Sequence, residues 1–145
     1  MHITDLTQRP PRSPRAKLGG YVLLPRMLDK GRAHLADRIG EYRFACPLDE
    51  RFLSFTGLKA EDIQALLQHG KSDTEVLAWV REHAPKADWE IAAWSDHQNH
   101  RCPTDNEGRE SFNETINKIA PGRDDLSTWF DLLDTDDYVS FGGTA

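Results

Sequence analysis

The chain has 145 residues, of which 38% are apolar and 29% charged, which suits one soluble globular domain with a real core and excludes a disordered one. Its net charge of −6 is uneven: residues 1–45 hold nine Lys/Arg against four Asp/Glu (net +5), and the rest hold nine against twenty (net −11). A chain so acidic does not release counterions from nucleic acid, and no apolar run is long enough to span a bilayer. The N-terminus, MHITDLTQRPPRSPR, lacks the apolar stretch of a signal peptide, and two cysteines, each followed by Pro, make no disulfide framework. The chain reads as cytoplasmic with both thiols reduced.

Residues 1–17 are polar, with Pro10, Pro11 and Pro14 among arginines, and are expected to form an extended basic arm. Gly19-Gly20 reads as a flexible turn. Leu24, Leu28, Gly31, Leu35 and Ile39 then share one helical face, with Pro25 as the first helical residue and Gly40 past the end. Gly31 interrupts that face. It either admits close approach of another helix or marks a tolerant site. Tyr42, Phe44 and Cys46 alternate with polar or small neighbours, which predicts a short extended segment, and Pro47 keeps Cys46 out of a helix. Asp49 is placed to cap a short helix from Glu50 to Phe55, ended by Gly57.

Ala60 to His69 reads as a helix with Lys59, which has no side-chain acceptor, in the cap slot. Ser72 and Glu75 form a capping box for a helix carrying Val76, Leu77 and Val80, stopped by Pro85. Asp88 can cap a further helix with Ile91, Ala92 and Trp94. Thr104 and Glu107 have the spacing of a second box, ahead of Phe112, Ile116 and Ile119. Pro121-Gly122 breaks that helix, and Asp124 or Asp125 opens the last one, with Leu126, Trp129, Phe130 and Leu133 on one face. The tail, 140–145, is expected to be loose. The sum is an all-α protein: a single domain, an irregular bundle of six or seven short helices with one short extended segment.

The run PRMLDKGRAHLADRIGEYRF-CPLD-RFLSFTG, followed by GKSD-EVLAWV, EIAAWS and a late WFDLLD, resembles the bacterial domain-of-unknown-function family 5069 in order and spacing over roughly residues 5–141. The resemblance implies a small helical fold. It brings no established activity, cofactor or site. Lys59 stands where the family pattern would place an acidic residue.

Few residues form a recognisable chemical constellation. Cys46 is the best nucleophile, with His34, Tyr42 and Asp49 near it in sequence and Arg43 or Arg51 as a source of positive field. The bland reading is a buried thiol acting as a small hydrophobe. His97, His100 and Cys102 offer three metal-ligand types at a helix end, but match no standard zinc spacing and need a fourth ligand from Cys46 or His34. The acids from Asp134 to Asp137 fail the calcium-loop pattern, which needs Gly and Glu where Val139 and Ala145 stand. The helix pair around Pro85 is no DNA reader, because its second member carries Asp88, Glu90 and Asp96 and no Lys or Arg. No phosphate loop, nucleophile elbow or H-E-x-x-H occurs, and no cofactor is expected.

Two functions from different classes follow as expectations. One is a non-catalytic helical module that engages a protein partner or itself as a homodimer, with its basic N-terminal segment against an acidic surface. The other is a small-molecule-binding protein or enzyme whose site lies around His34, Tyr42, Cys46, Asp49 and Arg51. They differ in whether the polar atoms of Tyr42, Cys46 and Asp49 share a concavity.

Overall fold

The structure, a computed structural model, describes residues 3–145. Among these, helices dominate, as the 3.6-residue periodicity requires. Two strands, β1 (Lys17–Leu18) and β2 (Tyr21–Val22), precede seven helices: α1 (Leu24–Leu35), α2 (Pro47–Thr56), α3 (Ala60–Gln68), α4 (Asp73–His83), α5 (Asp88–His100), α6 (Asn106–Ile119) and α7 (Trp129–Ser140). No helix among the described residues is long and apolar enough to cross a membrane. Contacts divide the chain into two compact units, one running through Ser95 and the other Asp96–Ala145.

In the first unit the segment ahead of β1 lies against the helices. Leu6 is buried and donates its N–H to the Arg38 carbonyl at 2.9 Å. Gly19 and Gly20, at φ +58° and +86°, turn the chain in the left-handed region, which a two-residue hairpin of this twist demands. Lys17 therefore pairs with Val22 and Leu18 with Tyr21, antiparallel. The turn is a built hairpin, and a Cβ on Gly19 would fall inside the Leu77 side chain.

Pro25 opens α1 as its sequence predicts, but the helix stops at Leu35, short of Ile39. The left-handed residue that ends it is Asp37, at φ +55°, not Gly40. The Arg38 N–H reaches the Ala33 carbonyl (2.8 Å) and the Asp37 N–H reaches that of His34 (3.2 Å), a Schellman closure. Gly31 faces Leu67 of α3 and Phe44; a Cβ there would lie 2.5 Å from Leu67 Cδ1 and 3.0 Å from Phe44 Cε1. The glycine admits close approach.

The expected extended segment from Tyr42 to Cys46 forms turns without a strand partner, because Ala45 sits at φ +58° and bends the chain into α2. That helix starts at Pro47 with Cys46 as its cap residue, so Asp49 lies inside the first turn and is not the cap. Gly57 ends α2 in the left-handed conformation, and Lys59 precedes α3 with no side-chain cap bond. The Ser72–Glu75 capping box forms as read. Around α1 the core gathers Tyr21, Met27, Leu28, Phe52, Ile63, Val76, Val80 and Ile91. Ser95 anchors the hairpin to α5, donating to the Gly20 carbonyl at 2.6 Å and accepting from the Val22 N–H at 3.2 Å.

The second unit is simpler. Asp105, not Thr104, caps α6, accepting the Gly108 N–H at 2.7 Å. Phe112, Ile116 and Ala120 form its small core, joined by Leu126, Trp129 and Leu132. The last helix starts later than Asp124 or Asp125, because Thr128 and Asp131 make a reciprocal capping box. Beyond Ser140 the chain still bonds back: the Gly143 N–H reaches the Tyr138 carbonyl at 2.9 Å.

Candidate functional site

The first unit has an unusual centre. Of the twelve residues of α1, nine are buried, and three of these are cations: Arg26, Lys30 and Arg32. A charge taken out of water is tolerated only when paired and hydrogen-bonded, so the partners define what the helix does. The Arg26 guanidinium donates to the Arg12 carbonyl at 3.2 Å and lies over the Tyr42 ring, 5.5 Å from its centre. Arg32 meets Asp73 at 2.8 Å and the Lys71 carbonyl at 3.3 Å. Arg12 reaches in from the N-terminal segment to both Asp29 and Asp73, each at 2.9 Å. Burial alone would raise the Asp73 carboxyl, but the Arg12 hydrogen bond and the Arg32 guanidinium beside it hold it below its ordinary value. Burial would likewise lower the Arg12 guanidinium, and its bonds to Asp29 and Asp73 raise it instead.

Lys30 makes the most chemically suggestive set. Its Nζ is 3.0 Å from Asp49 Oδ1 and 3.2 Å from Cys46 Sγ. The Lys30 and Asp49 side chains are 3% and 1% exposed, so this is a fully desolvated ion pair. Asp49 Oδ2 accepts the Ala45 N–H at 2.9 Å, which uses its second oxygen and holds the left-handed turn that delivers Cys46. The Cys46 backbone then begins α2, its carbonyl accepting from the Glu50 N–H at 3.0 Å, so the sulfur sits at the positive end of that helix. Cys46 itself is half-buried. One half-buried thiol thus touches one buried ammonium, and that ammonium is paired with a buried carboxylate.

The sequence-predicted residues are distributed unequally around this group. Cys46 and Asp49 come together through Lys30. Tyr42 is half-buried under Arg26. His34 is exposed, its ring stacked on Phe44 with centres 6.3 Å apart. Arg51 is half-buried on α2, and the cation at the sulfur is neither Arg51 nor Arg43 but Lys30. Sequence reasoning missed Lys30 because it lies off the Leu24–Leu28–Gly31 stripe. Only the burial of α1 on nearly all sides brings it inside. Among the described residues no three His, Cys, Asp or Glu side chains converge as metal ligands. His100 Nδ1 instead sits 2.8 Å from the Asp96 carbonyl, and Cys102 is exposed.

A comparison with curated proteins finds no match. The family model described as a domain of unknown function, DUF5069, matches residues 8–139, most of the chain and both of its units. The fold, the buried cations of α1 and the Cys46 turn described above are thus features of a chain that belongs to the DUF5069 family.

Proposed function

We propose that this chain is a non-catalytic helical module of the bacterial cytoplasm that engages a protein partner or a second copy of itself. One observation carries the reading: Trp89, near the start of α5, is 72% exposed. Ala92 and Ala93, the next residues along the same helical face, are exposed as well. An indole held out in water forgoes a large burial energy, and tryptophan is the side chain most often at the energetic centre of a protein interface. Asp49 supports the same reading from the other side, since both of its oxygens are already bound within the fold. The second unit holds four Lys/Arg against eleven Asp/Glu, a net charge of −7 that would speed encounter with a basic surface. Arg12 of the N-terminal segment is already bonded inside the first unit, which makes the α5 face the better contact surface than the basic arm.

A photoreactive amino acid at position 92, introduced in the host cell, tests the proposal. A recurrent protein adduct, or an adduct to a second copy, that disappears in Trp89→Ala supports it. No protein adduct, together with a small molecule retained in native mass spectra of the untagged chain, overturns it. That outcome would favour the second reading, a small-molecule-binding protein or enzyme with its site around Cys46, Tyr42 and Asp49. The observation on its side is the ammonium of Lys30 against the Cys46 sulfur.

A further inference from the structure

We infer that Lys30 and Cys46 form a peroxide-responsive modification site, in which oxidised Cys46 is captured by the Lys30 amine as a sulfur–nitrogen cross-link. This does not depend on the partner proposal; it concerns chemistry inside the first unit. The geometry holds every reactant but one. Sγ and Nζ are 3.2 Å apart, within reach of bond formation by small side-chain torsions. Cys46 as a residue is only half-buried, while the amine that its sulfur touches is sealed from solvent. The missing reactant is a small peroxide, which enters from water.

The first step is oxidation of the thiol. The Cys46 sulfur attacks one peroxide oxygen, the O–O bond breaks, and the thiol proton leaves with the departing oxygen as water when the oxidant is hydrogen peroxide. The product is a sulfenic acid, sulfur having lost two electrons to the peroxide. The second step is condensation. The Lys30 ammonium passes one proton to Asp49, 3.0 Å away, and the freed amine attacks the sulfenyl sulfur. The S–O bond breaks, and hydroxide leaves as water with a second proton from nitrogen. One N–S bond has formed, one water has left, and Asp49 ends protonated beside a neutral link. Sulfenic acids are known to condense with nitrogen as well as with thiols. Here the nitrogen in contact is a side-chain amine, and its burial keeps competing nucleophiles away from the same face. The link would join α1 to the first turn of α2 and remove the buried ion pair.

Treatment of the full chain with hydrogen peroxide, followed by intact mass and digestion with a protease that does not cut at Lys, tests this. Apart from any oxygens added at Cys102, the expected product is lighter than the reduced chain by two hydrogens. It has the Lys30 peptide joined to the Cys46 peptide and reverts fully with a thiol reductant. Cys102, exposed and in the same chain, reports that oxidant is present. In Lys30→Arg, which keeps the positive charge, the joined peptide is lost while Cys46 still oxidises. In Cys46→Ser the joined peptide is likewise lost. Oxidation of Cys46 to sulfinic or sulfonic acid with no joined peptide overturns the inference. So does a disulfide through Cys46 as its main product, or an unreacted Cys46 under conditions that oxidise Cys102.

Discussion

The two units solve the problem of a small core differently. The first, running through Ser95, holds fourteen Lys/Arg and thirteen Asp/Glu and is close to neutral. It takes some of those charges inside, around a helix buried on nearly all sides. The second, Asp96–Ala145, is strongly acidic, keeps a small apolar cluster around Phe112, Ile116 and Ala120, and bases its helices on local caps. Ionic groups in a core contribute less stability than apolar ones of equal size, but they are intolerant of losing a partner. The first unit is therefore expected to be the more brittle toward single substitutions at its charges. The second is expected to depend on ordinary apolar packing and capping.

The largest effect expected from that difference is at Lys30. Lys30→Met leaves Asp49 buried without its cation and should destabilise the fold by about 3–5 kcal/mol, read as a shift in urea midpoint. The double variant Lys30→Met with Asp49→Leu should recover most of that loss. If the single variant costs less than about 1 kcal/mol, the pair is effectively solvated and the contrast between the units collapses. Next comes Gly19→Ala, which imposes a side chain on a left-handed backbone at φ +58° and drives a Cβ into Leu77. A loss of about 2–3 kcal/mol is expected in the same assay.

A smaller effect separates charges by pH. Asp73 is held below its ordinary pKa in the fold, so its contribution is complete above the ordinary value of 3.8 and is lost as pH falls through the folded value. Urea midpoints taken between about pH 5 and pH 2 should fall more steeply for the natural chain than for Asp73→Asn. Equal slopes would mean that the Arg12–Asp73–Arg32 cluster does not report on folding. The smallest expected effect is that of Trp89→Ala, whose stability change should stay within about 0.5 kcal/mol because the ring is exposed. A larger loss would make Trp89 part of the fold and remove it as a contact surface.

Legibility in the sequence followed locality. Pro25, Gly57, the Ser72–Glu75 box, Pro85 and Pro121 mark helix ends through bonds and steric limits that act within a few residues, and each could be read directly. The misplaced ends share a different property. The Asp37 closure of α1 and the Thr128–Asp131 box of α7 use residues other than the strongest local signal, Gly40 and Asp124 or Asp125. The alternation of Tyr42, Phe44 and Cys46 looked like a strand because period two is all that the sequence displays. A strand needs a neighbour to bond, and the left-handed Ala45 turns the chain away. Within the candidate site, Cys46 and Asp49 were legible as reactive types close in sequence, while their common partner was not.

By itself the sequence determined helix content, most helix boundaries, the acidic second half and the absence of any standard catalytic or metal motif. All of these depend on side-chain type and spacing along the chain. Only the tertiary structure decided that Gly31 makes room for Leu67 and Phe44, that Arg12 bridges Asp29 and Asp73, and that Lys30 lies between Asp49 and Cys46. Those pairings join residues that local spacing does not relate. They exist because packing around α1 removes water, and a charge without water must find a partner in the chain wherever the fold supplies one.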